Sequence, residues 1–166
     1  MPLNVPQALL LQQARSDHDI YTFLIGQHEC HRLHYIQMCT EKLGKVYAWR
    51  NNTTPPNAKS HFFFYAFLKD LEIRPDFHTM FNYSQAAPFN AIRSDVFELA
   101  KKIESLVPAG NNNGRNPEYP WPPSNPTHGP ASEVFPEWVD WNTTKAGVAL
   151  DHFIMNMLVD YQIYFP

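Results

Sequence analysis

The sequence predicts an all-α protein: an up-and-down bundle of about five helices in one domain, residues 1–166, with a long crossover before the last helix. Three observations predict it. Apolar residues recur at spacings of three and four along several stretches. Pro- and Asn-rich segments punctuate those stretches. No run alternates apolar and polar residues as a half-buried strand would. With 44% hydrophobic and 17% charged residues, the chain has enough apolar material for a packed core and too little charge for a disordered one.

Helix one is expected from near Pro6, because proline suits a first turn. It carries Leu10, Ala14, Ile20, Tyr21 and Leu24 and ends near Gly26. Helix two spans residues 30–49. On a wheel of about 100° per residue, Leu33, Ile36, Cys39, Leu43 and Tyr47 share one side. His31, His34, Met38, Glu41, Lys42 and Lys45 share the other. Asn51 to Asn57, with two prolines, is a loop. Helix three is expected from Ser60, as N-cap, to Leu71, and Arg74-Pro75 stops it. Its aromatics Phe62, Phe63, Phe64, Tyr65 and Phe67 cover most of its circumference, so it is buried or lies in an interface. Residues 76–87 fit no single pattern. Helix four is expected from Pro88 to Leu106, with Phe89, Ile92, Val96, Leu99, Ile103 and Leu106 at helical spacing.

Eight of the fifteen prolines then fall between Pro108 and Pro136, so this stretch is neither helix nor central strand. It nonetheless carries Tyr119, Trp121, Phe135, Trp138 and Trp141. That aromatic load predicts an ordered strap over 108–143, docked on the bundle. A last helix runs from Thr144, an N-cap, to Tyr164, with Val148, Leu150, Phe153, Ile154, Met157, Leu158 and Tyr161 on a broad apolar face.

The net charge of −3 argues against a protein that coats nucleic acid by bulk charge, although a local basic patch remains open. Cys30 and Cys39 lie roughly 13 Å apart along one helix, too far to bridge, and two free thiols fit a reducing compartment. The N-terminal residues have no basic and apolar regions of the signal-peptide kind. The longest apolar run, Phe62 to Leu68, is too short to span a bilayer. A cytoplasmic protein without membrane contact is therefore expected.

Helix two also carries a resemblance. The segment His34-Tyr35-Ile36-Gln37-Met38-Cys39-Thr40-Glu41-Lys42-Leu43-Gly44-Lys45 resembles the second helix of the HEPN superfamily of small helical domains. That helix shows an aromatic or His cluster, then Gln, then Glu-Lys, then Lys. Ala14-Arg15-Ser16-Asp17 is similar to the family's Ala-x-x-Asp in helix one. Pro117-Glu118-Tyr119-Pro120 is similar to the Arg-Tyr-Pro before its last helix. The resemblance implies a helical bundle that tends to dimerise. Nuclease members of the family carry Arg, a polar residue, and a His, with about four to six residues between the Arg and the His. No arginine here has that His: Arg74-Pro75-Asp76-Phe77-His78 is one residue short and holds a proline. RNA cleavage therefore does not carry over.

Other motifs are weighed on their own chemistry. His28-Glu29-Cys30-His31 lacks the four-residue His spacing of a zinc-protease helix. His31 and His34 could ligate a metal with Cys30, or with Asp151-His152, but a surface His pair is the commoner outcome. Asp17-His18-Asp19 could orient a general base; an exposed helix face is commoner. A thiol nucleophile at Cys30 is weighed against a buried structural thiol. Arg15, Lys42, Lys45 and Arg50 could form a phosphate site if helices one and two pack antiparallel, against ordinary solvated charge with Glu41 pairing to Lys45 at i, i+4.

The expected function is a non-catalytic binding module, without a cofactor, that forms a homodimer and takes a nucleotide, RNA or a partner protein. Its candidate ligand-binding residues are Arg15, His31, His34, Gln37, Glu41, Lys42 and Lys45. The alternative is a divergent ribonuclease or a metal-dependent hydrolase built on His31 and His34, with Cys30 as a further ligand. The surplus of aromatics on helix three and the strap supports the homodimer, whose symmetric interface would bury it.

Overall fold

A computed structural model describes residues 3–27, 29–50, 55–56, 61–106, 117, 135, 138 and 140–165. Among them are six α-helices and no strand: α1 Val5–Phe23, α2 Glu29–Arg50, α3 Phe64–Leu71, α4 Ala86–Asn90, α5 Arg93–Glu104 and α6 Lys145–Tyr164. The all-α bundle is as expected, with one helix more.

α2 lies at the centre. It packs along α1 and also touches α3, α5 and α6. Its apolar stripe is buried as the wheel predicts: Leu33, Ile36, Cys39 and Leu43 are fully buried, and Tyr47 is half-buried. Gly44 lets the chain before α3 come close. A methyl group there would stand 2.6 Å from the Phe63 carbonyl carbon.

The boundaries differ from expectation where capping decides them. α1 starts at Val5 because Asn4 and Gln7 form a reciprocal capping box. It ends at Phe23, and Gly26 turns the chain at φ 85°. α3 starts at Phe64, and Ser60 lies outside the described residues. No side chain next to that helix caps it. Glu104 of α5 instead accepts hydrogen bonds from the backbone N–H groups of Phe64 at 2.8 Å and Tyr65 at 3.3 Å.

The single helix expected over Pro88–Leu106 is two. Ile92 leaves helical geometry at φ −117°, ψ −3°, and its N–H bonds back only to Phe89, at 3.0 Å. The apolar spacing runs through the break because Phe89 packs on Phe77, Phe81 and Tyr83 while Val96 and Ile103 are buried farther along. The stretch 76–87 contains a 3₁₀ turn, Phe77–Phe81, closed by left-handed Asn82 at φ 62°. Asn156 of α6 donates to the Met80 carbonyl and to the Asn82 side chain, each at 3.0 Å.

Thr144 caps α6 as expected, accepting from the Gly147 N–H at 3.0 Å. The 3₁₀ turn Trp141–Thr143 lies against this end, and Gly147 admits it: a methyl group there would meet the Trp141 carbonyl oxygen. Phe135, Trp138 and Trp141 of the crossover are buried, and most of the strap expected over 108–143 lies outside the described residues. Tyr119 and Trp121 lie outside the described residues. No helix among the described residues is long and apolar enough to cross a membrane.

Candidate functional site: the polar side of α2

The side of α2 opposite its apolar stripe is not a solvated face. Gln37, Glu41 and Lys45 are buried, His34, Met38 and Lys42 are half-buried, and only His31 is exposed. The wheel treats the helix as having one neighbour, whereas α1 covers one flank of this stripe and the chain before α3 covers another.

Glu41 is the hub. Its carboxylate accepts hydrogen bonds from Lys45 Nζ, from His61 Nδ1 at 2.6 Å and from Gln37 Nε2 at 3.1 Å. Burial pushes its pKa up, and the hydrogen bonds from Lys45, His61 and Gln37 outweigh burial, so it rests below the ordinary carboxylate value. The i, i+4 pairing of Glu41 with Lys45 is as expected, but it is buried rather than solvated.

His61 was not legible as a member of this site. It lies eleven residues beyond the end of α2, and no helical spacing connects it to Glu41. About a third of its side chain is exposed. The bond from Nδ1 to Glu41 fixes that nitrogen as the donor, which leaves Nε2 as the acceptor when the ring is neutral.

Beside this network runs an apolar groove of about 420 Å³, lined by Pro6, Leu9 and Leu10 of α1, Lys45 and Trp49 of α2, and Pro55 and Pro56. Lys45 therefore belongs to both the buried network and the groove wall. Trp49 stands four residues on, one turn along the same side. Of the groove's residues, only Lys45 was a candidate from the sequence.

The other cationic candidates do not join it. Lys42 donates to Asp17 of α1 at 2.7 Å, and Asp17 also accepts from Gln13 at 3.1 Å. Arg15 turns to α6, where its Nε donates to the Leu158 carbonyl at 2.6 Å. Arg50 lies over the Phe165 ring at 5.1 Å. The shared phosphate site of Arg15, Lys42, Lys45 and Arg50 is thus not formed: α1 and α2 pack as that idea needs, but each cation is drawn to a different neighbour.

Of Asp17-His18-Asp19, Asp19 is exposed as expected, but Asp17 and His18 are buried between helices, and His18 Nε2 lies 3.5 Å from Asp151 of α6. Among the described residues no three His, Cys, Asp or Glu side chains gather to hold a metal, so His31, His34 and Cys30 do not form the alternative metal set. His34 packs edge-on against Tyr35, with ring centroids 5.1 Å apart. Cys30 and Cys39 are both free and buried, and burial raises both thiol pKa values.

No family model, no curated protein and no solved structure matches the chain.

Proposed function

We propose that the chain is a non-catalytic, HEPN-like binding module that takes a nucleotide in the groove between α1 and α2. One observation carries this reading: a flat ring, Trp49, and a cation, Lys45, stand one helical turn apart in the wall of one apolar groove. A base would stack on the indole and the neighbouring prolines, and the phosphate would meet the ammonium. Glu41, itself held by His61, accepts from Lys45, so the cation is positioned before a ligand arrives. Of the three ligands the sequence left open, a nucleotide suits a groove of about 420 Å³ better than RNA or a protein surface. The module would act as a homodimer in the cytoplasm. The exposed Val148 and Met155, on one face of α6, offer apolar surface for the dimer.

The test is calorimetric titration with AMP, GMP and their nucleosides, beside native mass spectrometry of gently purified protein. Binding lost in Trp49→Ala and weakened in Lys45→Met supports the reading. Nucleotides that fail to bind, or bind equally to both variants, sink it.

One observation favours a second reading, a divergent hydrolase. The carboxylate–imidazole pair Glu41–His61 is arranged as an orienting acid and a general base. RNA or nucleotide hydrolysis abolished by His61→Ala but retained in His31→Ala and His34→Ala would establish it.

A further inference from the structure

A second cleft, distinct from the α1–α2 groove, lies between α1 and the end of α6. It holds about 400 Å³ and mixes apolar residues, among them Ala8, Leu11 and Val159, with the polar Tyr161 and Gln162 and two charges, Arg15 and Asp160. The backbone at Asp160 leaves helical geometry, at φ −114° and ψ 24°, inside an otherwise continuous α6. The kink has an identifiable companion. Arg15 Nε donates to the Leu158 carbonyl at 2.6 Å, and a side chain reaching into the backbone ladder is a recognised cause of such bends.

That bond fixes the guanidinium plane. It uses one of the five N–H donors of arginine, and since Arg15 is exposed the others face the solvent side of the cleft, open to a ligand. Asp160, half-buried at the kink, lines the same cleft. The two opposite charges share one cleft, yet they do not close on each other as an ion pair. Paired charges elsewhere in this chain do close, as Lys42 and Asp17 do at 2.7 Å.

We propose that this cleft is a binding site for a small zwitterion with an apolar body, of the hydrophobic α-amino-acid type. The ligand carboxylate takes the fork of Arg15, whose planar donors match two carboxylate oxygens. The ligand ammonium takes Asp160. The apolar body rests on Leu11 and Val159. A phosphate would meet Arg15 but leave the Asp160 charge without a partner. An acid or an amine alone would satisfy one charge and leave the other unmatched.

The experiment is an NMR titration of the full chain with L-leucine, 4-methylpentanoate, 3-methylbutan-1-amine and inorganic phosphate. L-Leucine is expected to shift the resonances of residues 8–15 and 158–163, and to bind at least about tenfold more tightly than the acid or the amine. Arg15→Gln and Asp160→Asn should each weaken it by roughly tenfold or more. Arg15→Gln also removes the link to Leu158, so a second variant guards against loss of fold. Ala8→Trp fills the exposed side of the cleft, keeps both charges and should abolish binding. Equal binding of leucine, acid and amine overturns the proposal. So does phosphate binding more tightly than leucine, unchanged affinity in Ala8→Trp, or no leucine binding by the folded protein.

Discussion

His61 donates to Glu41 at 2.6 Å, joining the chain before α3 to the middle of α2 across twenty residues of sequence. Glu41 thereby acquires a third hydrogen-bond donor in addition to Lys45 and Gln37 of its own helix. A carboxylate on the buried side of a central helix needs such company, since an unpaired charge there would be costly.

Removing one partner should cost more than removing two. Lys45→Met leaves Glu41 buried without its lysine and is expected to destabilise the fold by about 3 kcal/mol or more. The double variant Glu41→Gln/Lys45→Met removes both charges and should recover part of that loss. Urea unfolding of the single and double variants checks this. A double variant less stable than Lys45→Met would contradict it.

The same carboxylate sets a pH dependence. The folded-state pKa of Glu41 lies below its ordinary value of 4.5, so its contribution is fully present above that value. It is lost as pH falls from there through the folded pKa. Urea midpoints measured between neutral pH and pH 3 should fall more steeply for the wild type than for Glu41→Gln. Parallel curves would remove Glu41 from the account.

Glu104 caps α3 from a different helix. Glu104→Ala should therefore destabilise α3 by about 1 kcal/mol, although residue 104 lies in α5. Hydrogen exchange should quicken at the Phe64 and Tyr65 amides. Glu104→Gln keeps an acceptor oxygen and should restore most of the protection.

Gly44→Ala tests the close approach of α2 to the chain before α3. The added methyl group would collide with backbone rather than with a flexible side chain. A loss of about 1–3 kcal/mol is expected. Thermal unfolding measures it, and an unchanged midpoint would show that the two segments separate easily.

Cys39 is fully buried, and burial holds its thiol well above the ordinary value. A thiol reagent at neutral pH should leave it unmodified until denaturant is added. Modification of Cys39 in the folded protein at the rate seen in urea would contradict its placement in the core.

Helical periodicity made the apolar stripe of α2 and the run of α6 legible, because both meet the core along one continuous line. It misread the other side of α2. A wheel places Glu41 and Lys45 together but carries no information on what a distant loop lays over them. In the sequence His61 stands beyond a Pro- and Asn-rich segment, and Trp49, Pro55 and Pro56 look like ordinary helix-end and loop residues. The groove they form with α1 exists only after folding. The split of the helix expected over 88–106 was hidden for a related reason: Phe89 and Ile92 keep the spacing while the backbone changes direction between them. At the start of α1 the information was present, in Asn4-x-x-Gln7, and proline at position 6 drew attention from it.

Apolar stripes alone would let α1 and α2 slide past each other, because one leucine fits another's socket nearly as well. The bond from Lys42 to Asp17 does not allow it. A shift of one turn, about 5.4 Å, would strand both charges between the helices. Asp17 and Lys42 therefore act as a locating pin: they choose one register from several that hydrophobic packing would accept. The alignment of Pro6, Leu9 and Leu10 with Lys45 and Trp49, and so the groove itself, depends on that choice.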